Sequence, residues 1–326
     1  MGNSFEVIKY SADRQNSWDD FVNKAQNATF LFNRNFMDYH ADRFTDHSVM
    51  IYLENELIAI FPANQKDNKI HAHAGLTYGS LAVNPFLEPQ KYHLLFNSLF
   101  DYYKKQRFQQ LIYKEIPIFY QGNSDLSLFL DENSSLYQII QQDVGAVIHL
   151  QNPFHFWHGR WINIKKAEKF NLIIITSETC TQHSLMEDFW EEALIPNLKN
   201  KYNLLPTHNI GEIMLLANRF PTHIKQYNVY HEGKIIAGTT IFESTKVAHC
   251  QYIASTKLGK SLYATDFLFH YLITQKYKNF DYFSLGISNW HGSEKVNEGL
   301  LKWKMSWGAK VCKHRHFLVQ LGSVHI

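Results

Sequence analysis

The chain has 326 residues, which is enough for two domains with separate hydrophobic cores. Hydrophobic residues make up 45% of it and charged residues 19%, a composition that excludes an intrinsically disordered chain. The net charge of +2 argues against a general nucleic-acid binder, although it leaves local basic patches open.

The three cysteines, Cys180, Cys250 and Cys312, are odd in number and widely spaced. They predict neither a disulfide framework nor a Cys-x-x-Cys metal pair, so we expect a cytoplasmic protein. The first residues show neither a signal-peptide pattern nor a complete myristoylation pattern. No apolar run approaches the roughly 20 residues that cross a bilayer, and we expect no membrane partner.

Histidine is frequent, with 18 residues, and two pairs have the spacing of a strand face: His71 with His73, and His314 with His316. A metal site would need a third converging ligand, which neither pair has nearby in the sequence. Ordinary surface or core histidines are the alternative, and we expect no metal.

In chain order, the first half opens with a strand at residues 5–9 and a helix that Ser17 and Asp20 would cap. A strand pair around residues 52–59, a strand at 69–74, a helix at 93–100 and a strand at 108–113 follow. β-Branched and aromatic residues favour these strands, and apolar residues at helical spacing favour the helices.

The second half opens with the strand Leu172–Thr176 and a helix that Ser184 and Glu187 would cap. Glu232-Gly233 is typical of a hairpin turn between two strands. The remaining predicted elements are a helix near 210–218, strands at 225–231, 234–243 and 246–255, a helix at 265–276, a strand at 282–287, a helix near 297–307 and a strand at 311–320.

The second half repeats the first at a steady offset. Tyr52–Ala59 matches Tyr230–Ala237, and the strand and helix that follow have counterparts in the same order. A repeat of this length indicates a duplicated domain. We expect a first lobe at residues 1–150, a connector packed onto the protein at 151–170, and a second lobe at 171–326.

The order of elements in each half resembles the GNAT acyltransferase fold, and two such lobes in one chain resemble the FemAB-like, nonribosomal peptidyltransferase type. The resemblance covers nearly the whole chain and implies an α/β (α+β) protein. Each lobe would be a mixed, mostly antiparallel sheet flanked by helices. The active site would lie in the second lobe and face the cleft between the lobes.

The loop after the strand 246–255 has glycine, serine and lysine residues and opens a helix. GNAT enzymes hold the pyrophosphate of coenzyme A on the backbone N–H groups of such a loop. By resemblance, the donor-binding residues are Ser255, Lys257, Gly259, Lys260, Ser261 and Ala264. Tyr263 replaces a glycine of the family pattern, and a solvated basic loop is the alternative. The first lobe's loop, Asn84–Pro89, has no glycine, so we expect no donor there.

A second stretch keeps the spacing of the GNAT pattern Asn-x-x-Ala-x-x-x-Tyr-x-x-x-Gly-Phe through Asn297, Leu300, Lys304, Gly308 and Ala309. Lys304 stands where that family often has the tyrosine that protonates the leaving thiolate. With Trp307-Gly308 it resembles the FemAB-like branch, which implies that its ammonium assists the leaving group. The alternative is a helix lysine in solvent.

Candidate bases for the acceptor amine are Asp266, Glu298 and His249. The alternative for the two carboxylates is to stabilise helix N-termini. Backbone N–H groups near Gln251–Ser255 would stabilise the oxyanion. Six further side chains are expected to bind substrate or, as the alternative, to form ordinary surface contacts: Arg34, Tyr39, His40, Arg43, Tyr78 and Tyr252.

The resemblance implies an N-acyltransferase with acyl-CoA as a co-substrate and no permanently bound cofactor. The acyl group, with 3-hydroxybutyryl as one example, would go to the amine of a dTDP-linked amino-deoxysugar for O-antigen or capsule synthesis. The expected partners are therefore small molecules and not nucleic acid. One alternative is an aminoacyl-tRNA-dependent peptidyltransferase on a cell-wall precursor. The other is a non-catalytic binding protein with decayed lobes.

Overall fold

The computed structural model describes residues 5–122 and 137–322. They form two compact units: unit 1 holds the described residues up to Asp143 and those from Lys313 on, and unit 2 is Val144–Cys312. The predicted connector, 151–170, lies within unit 2. The parts of the predicted lobes at 1–4, 123–136 and 323–326 lie outside the described residues.

Unit 1 is built from short strands and helices. Its strands are β1 (Glu6–Lys9), β2 (Thr45–Asp46), β3 (Val49–Leu53), β4 (Glu56–Phe61), β5 (Asn64–Lys66), β6 (Lys69–His71), β7 (Ala82–Val83), β8 (Gln110–Lys114) and the first part of β9 (Tyr137–His149). Its α-helices are α1 (Gln15–Lys24), α2 (Arg34–Met37) and α3 (Tyr92–Lys105). Short 3₁₀ turns join them at Ala12–Arg14, Phe30–Phe32, Asp38–Arg43, Pro89–Lys91 and Ile118–Tyr120.

Unit 2 has longer strands. From β9 the chain runs through α4 (His158–Ala167), β10 (Ile173–Thr176), α5 (Gln182–Asp188), a π-helix (Phe189–Leu194), α6 (Ile195–Tyr202), α7 (Ile210–Arg219), β11 (Ile224–His231), β12 (Lys234–Glu243) and β13 (Val247–Ser255). It ends with α8 (Lys257–Ser261), α9 (Ala264–Tyr271), a second π-helix (Leu272–Lys276), β14 (Tyr282–Ile287), α10 (Glu298–Met305) and β15 (Lys310–Gln320).

The described strands of each unit pair mostly antiparallel, with one parallel pair in each. In unit 1 the orders are β1-β3-β4-β7 and β15-β8-β6-β5-β2, and β6 with β8 is parallel. In unit 2 the order is β10-β11-β12-β13-β14-β9, and β13 with β14 is parallel. The predicted mixed, mostly antiparallel sheets flanked by helices are confirmed.

The duplicated hairpin has the same backbone in both units. The turn residues Glu54 and Asn55 have φ of 50° and 68°, and Glu232 and Gly233 have 49° and 77°. Two successive positive φ angles define a type I′ turn, whose twist matches that of the flanking strands. Both hairpins also shift register next to the turn, after Ile51 in unit 1 and after Val229 in unit 2. The predicted repeat is therefore present in the structure.

The repeat breaks at the third strand. In unit 2, β13 pairs with β12 from Ala248 to Ser255, interrupted by one bulge. In unit 1, β6 pairs with β5 and β7 pairs with β4, while residues 72–81 loop out between them. Gly79 is required in this loop because a Cβ there would lie 2.2 Å from the carbonyl oxygen of Ala72. The strand predicted at 69–74 is correspondingly shortened to Lys69–His71.

Two predicted helix starts are wrong. Helix α1 begins at Gln15, directly after a 3₁₀ turn, so Ser17 lies inside it. Helix α5 begins at Gln182 with Thr181 as N-cap, so Ser184 is likewise internal. Serine can bond within a helix as well as cap one, and Ser184 Oγ donates to the carbonyl of Thr181.

Each unit has its own core. In unit 1 the buried face of α3, with Leu95, Leu99 and Tyr103, joins Ile51 and Phe61 of the hairpin. In unit 2 the core includes Leu268 and Phe269 of α9, Ala237 of β12, and Trp307 after α10. Burial of these side chains holds α9 and α10 against the sheet next to β13 and β14.

Candidate active site

The parallel strands β13 and β14 pair only at their beginnings. The paired residues are Val247–His249 with Tyr282–Ser284, and neither described strand pairs with the other beyond them. The opening starts beside a bulge in β13, where Thr240 faces Tyr252 but Ile241 faces Cys250, leaving Gln251 as the extra residue. Backbone N–H and C=O groups that lack a partner strand can bind a ligand. This is the role that we expected for the N–H groups near Gln251–Ser255 of β13.

Gly286 forms an irregularity on the β14 side of this opening. It has a φ of +70°, which favours glycine, and the pairing of β14 with β9 shifts between Ser284 and Ile287. The neighbouring strand is close, since a Cβ on Gly286 would lie 3.6 Å from the carbonyl oxygen of Cys250. The carbonyls of Gly286 and Ile287 are therefore at the start of the opening.

The Lys304 ammonium occupies this position. Its Nζ donates hydrogen bonds to the carbonyl oxygens of Gly286, at 3.0 Å, and Ile287, at 2.5 Å. The side chain is buried, and this burial lowers the pKa of the ammonium to about 8, against the smaller opposing effect of the Cys250 and Cys312 thiols. The alternative of a helix lysine in solvent is thereby excluded.

Helix α10 is fixed at both ends. The side chain of Asn297 accepts a hydrogen bond from the N–H of Leu300 and caps the N-terminus. At the other end Trp307 is fully buried, and Gly308 has a φ of +81°. These residues of the sequence motif therefore position Lys304.

The predicted donor loop folds back on strand β12. The Thr256 side chain caps α8 by accepting from the N–H of Gly259. A Cβ on Gly259 would lie 2.0 Å from the carbonyl oxygen of Ile236 and 2.5 Å from Ser255 Oγ. Glycine is thus needed for packing at this position, independently of any phosphate.

The other donor-loop residues lie on both sides of this contact. Lys257, Lys260 and Ser261 are exposed, whereas Ser255 and Ala264 are buried. Tyr263, which replaces a family glycine, keeps a left-handed backbone with a φ of 57°. Such a conformation costs a non-glycine residue roughly 1–2 kcal/mol. The loop therefore keeps the backbone shape that glycine favours, although Tyr263 has a large side chain.

Asp266 forms a buried ion pair in the first turn of α9. Its Oδ1 accepts from Arg160 Nη1 at 2.7 Å and from Asn163 Nδ2 at 3.2 Å, both on α4. Arg160 also donates to Ser306 Oγ and lies over the rings of Trp303 and Trp307. The geometry favours a structural role for Asp266, which holds α4, α9 and the end of α10 together.

The remaining unit 2 candidates have different surroundings. Glu298 is exposed on the first turn of α10. His249 Nδ1 lies 3.0 Å from Ser284 Oγ, at the last paired residues of the two strands. The Tyr252 hydroxyl lies 2.6 Å from His208 Nδ1, and burial raises the pKa of Tyr252 to about 12. Tyr252 thus lies next to the bulge of β13, and its hydroxyl is hydrogen-bonded to another residue of unit 2.

In unit 1 the Arg34 guanidinium is buried and donates to Asp38 and Asp46, both at 2.7 Å. Its side chain is therefore not available as a phosphate clamp. His40 is buried and stacks on Tyr39, with ring centroids 4.2 Å apart. Arg43 is exposed, with Nε 4.0 Å from Asp42 Oδ2.

Tyr78 is also buried, and its hydroxyl lies 2.8 Å from Thr29 Oγ1. It therefore does not extend into solvent from its loop. Of the six predicted substrate-binding side chains, Arg34, His40 and Tyr78 pack inside unit 1, whereas Tyr39 and Arg43 keep exposed surface.

Unit 1 has no opening at the position that corresponds to the opening of unit 2. Lys114, at the end of β8, donates to the carbonyl oxygens of His73, Ala74 and Leu76 in the 72–81 loop. Gly79 of that loop also pairs with Lys114. Beside the parallel strands β6 and β8, the 72–81 loop and the Lys114 ammonium therefore fill the space whose counterpart in unit 2, between β13 and β14, stays open. For this reason we place the candidate site in unit 2.

Sequence reasoning missed Arg160, His208 and Asn197, whose Nδ2 donates to the carbonyl of Ser255 at 2.9 Å. Each acts through a partner more than 40 residues away in the sequence. No local motif marks such contacts. The one available signal was the polar and aromatic composition of the 151–170 stretch that contains Arg160.

Two general properties complete the description. Among the residues that the structure describes, no three histidine, cysteine or carboxylate side chains converge as metal ligands. Within the same residues, no helix combines the length and the apolar character that spanning a bilayer requires.

No protein-family model matches this sequence, and no curated protein matches it. Solved structures do share its fold. FemX has a TM-score of 0.65 at 10% identity, covering 95% of this chain and 96% of its own. L-PGS from Bacillus licheniformis has a TM-score of 0.61 at 10% identity, covering 97% and 94%. The C-terminal domain of a protein assigned as a lysylphosphatidylglycerol synthetase from Agrobacterium fabrum has 0.60 at 12%, covering 95% and 92%. At these identities the likeness shows the fold alone, and the expected α/β fold with mixed, mostly antiparallel sheets is shared with FemX.

Proposed function

We propose that this protein is an acyltransferase that moves an acyl group to an amine, with its transfer centre in unit 2. The observation that carries the proposal is the buried Lys304 ammonium at the start of the opening between β13 and β14. A buried, protonated donor beside unpaired strand backbone is suited to stabilising charge that develops during acyl transfer.

In the proposed mechanism the acceptor amine attacks the carbonyl carbon of the donor. The carbonyl oxygen becomes an oxyanion, which backbone N–H groups near the Gln251 bulge would stabilise. The tetrahedral intermediate then collapses, the bond to the leaving group breaks, and Lys304 supplies a proton to that group. The amine loses its own proton to solvent, and solvent later reprotonates Lys304. No covalent enzyme intermediate is needed.

The leading donor and acceptor are those implied by the sequence resemblance: acyl-CoA, and the amine of a nucleotide-linked amino sugar. The exposed Lys257, Lys260 and Ser261 on α8 support a phosphate-bearing donor. Unit 1 is the proposed acceptor-binding unit, with the half-buried Tyr39 and the exposed Arg43 as its candidates. The proposed cytoplasmic location rests on the number and spacing of the cysteines, and the acyl group rests on the resemblance only.

One observation favours a second candidate function, aminoacyl transfer from tRNA. The donor loop has Tyr263 where the family pattern has a glycine, directly before the first residue of α9. A tyrosine side chain leaves less room than a glycine for a pyrophosphate to approach the backbone closely. An aminoacyl ester does not need the pyrophosphate site, whereas acyl-CoA does.

The test is a transfer assay with both donor classes. Purified protein is incubated with acetyl-CoA or 3-hydroxybutyryl-CoA and a dTDP-amino sugar, or with aminoacyl-tRNA and a cell-wall precursor, and the acylated product is detected by mass spectrometry. Product with one class identifies the donor. If neither class binds or reacts under any condition, the acyltransferase proposal is wrong, and a non-catalytic binding protein becomes the better explanation.

A further inference from the structure

Helix α4 and the residue before it present large apolar side chains to solvent. Trp157 is 47% exposed, Trp161 is 43% exposed and Ile162 is 42% exposed. Trp157 and Trp161 are four residues apart, which places them on the same side of the helix. Three large apolar residues within six positions form an exposed patch, and such patches commonly mark an interaction surface.

The same solvent face of α4 is basic. Lys165, Lys166 and Lys169 are all exposed, and Glu168 is the one acidic residue in the 151–170 stretch. Lys166 Nζ also lies 5.2 Å from the centre of the Tyr263 ring. The partner of this face should therefore combine an apolar layer with negative charge.

The opposite face of α4 packs against the rest of unit 2. Ile164 and Ala167 are buried, and Arg160 points inward to Asp266. The orientation of the helix is thus set by its inner contacts. Trp157, Trp161 and Ile162 consequently remain outside the core in the folded chain.

We propose that the outer face of α4 binds the surface of a lipid bilayer containing anionic lipids. Helices that lie in a membrane interface carry tryptophan and aliphatic residues beside lysines. Tryptophan is favoured at the level of the headgroups, and each lysine near an anionic surface adds about 1 kcal/mol of attraction. Binding of this kind needs no membrane-spanning helix, so it is compatible with the helices described above.

Single-stranded RNA also binds aromatic and basic surfaces, through stacked bases and phosphates. The lipid surface fits better because Ile162, an aliphatic side chain, is part of the patch and has no base-stacking role. The lysines also lie beside the tryptophans along one helix, which is the arrangement of helices that bind a planar membrane interface. RNA binding is accordingly an outcome of the test that counts against the proposal.

The test is co-sedimentation of the full chain with vesicles of phosphatidylcholine, with or without phosphatidylglycerol in equal parts. We expect binding to the anionic vesicles that weakens with salt, and little binding to neutral ones. The double variant Lys165→Gln/Lys166→Gln should bind roughly 30-fold more weakly, since two lysines are neutralised. Lys104→Gln/Lys105→Gln, in the last turn of α3, is the matched control and should bind like wild type.

The apolar contribution is tested with Trp157→Ser/Ile162→Ser, compared with Trp290→Ser. Trp290 is 46% exposed, so its substitution removes an equally exposed ring outside α4. The first variant should lose vesicle binding, and the second should keep it. Circular dichroism must show each variant folded. Absence of wild-type binding to anionic vesicles, equal losses in the controls, or binding to an RNA oligonucleotide instead of vesicles would overturn the proposal.

Discussion

Lys304 Nζ lies 3.0 Å from the carbonyl oxygen of Gly286, the residue at which β14 departs from regular pairing. Its other hydrogen-bond partner, Ile287, is also a backbone carbonyl, and no ion pair links Lys304 to a carboxylate in the described part of the chain. A carboxylate partner would neutralise the ammonium. Backbone partners fix its position and leave its charge to act on a bound substrate.

The first prediction concerns turnover. Replacing Lys304 with Met should lower kcat by roughly 10²-fold or more, with a much smaller change in donor binding, because the ammonium acts on the leaving group. The measurement is steady-state kinetics with the donor that the transfer assay identifies. Lys302→Met, at an exposed position on the same helix, is the control and should leave kcat unchanged. Normal turnover in Lys304→Met would remove Lys304 from the mechanism.

The second prediction concerns the pH dependence of the rate. Burial lowers the pKa of Lys304 to about 8, so the protonated form is lost as the pH rises through that value. If the ammonium is the active form, kcat should fall above pH 8. Lys304→Arg keeps a charge at all these pH values and should show no such fall, even if its activity is lower. A wild-type rate that increases through pH 9 would contradict this role.

The third prediction concerns the pH dependence of stability. The pKa of Lys304 is about 8 in the folded protein and near 10.5 in the unfolded chain. Between these values the unfolded chain binds more protons, so the free energy of unfolding should rise with pH. Urea denaturation at pH 7.5 and pH 10 should show a smaller rise for Lys304→Met than for wild type. Equal rises would mean that Lys304 has an ordinary pKa.

The fourth prediction separates packing from donor binding at Gly259. A Cβ there would lie 2.0 Å from a backbone oxygen, so Gly259→Ala should lower the free energy of unfolding by about 1–3 kcal/mol or more. Gly159→Ala, where a Cβ meets no atom within 4 Å, should be neutral or stabilising by up to about 1 kcal/mol. Denaturant titration measures both. A fully stable Gly259→Ala protein would show that the contact with Ile236 relaxes easily.

The fifth prediction concerns Asp266. Replacing it with Asn leaves Arg160 without its carboxylate in a mostly buried site and should cost about 3 kcal/mol of stability. A double-mutant cycle with Arg160→Met should give a clear coupling energy between the two residues. A catalytic base would behave differently: its loss would change the pH profile of kcat while leaving stability nearly intact.

Features set by neighbouring residues could be predicted from the sequence. The Glu232-Gly233 turn and the position of Lys304 on the helix predicted near 297–307 follow from local patterns, and the duplicated hairpin follows from comparing the two halves. Features set by distant contacts could not. Gly259 is needed because of Ile236, over 20 residues earlier, and Asp266 is held by Arg160, over 100 residues earlier.

The loop 72–81 shows a further limit. Residues 72–74 belong to the strand predicted at 69–74, but the structure places them in this loop. The closure of the loop depends on Lys114, about 40 residues later. One of the two ion pairs of Arg34 is likewise formed with a residue outside its own helix, Asp46, which lies 12 residues later in the chain. Sequence reasoning therefore predicted substrate-binding roles for Arg34, His40 and Tyr78 but could not tell that these side chains are buried.

The return of β15 to unit 1 imposes an order on synthesis. The strand β8 pairs with His316–Gln320, residues about 200 positions later in the chain. A ribosome releases these residues only after the whole of unit 2, so one edge of β8 stays unpaired while unit 2 is being synthesised. An unpaired strand edge attracts other chains. The nascent protein should therefore depend on chaperones until β15 has emerged, and a chain truncated after Cys312 should aggregate even though it keeps unit 2.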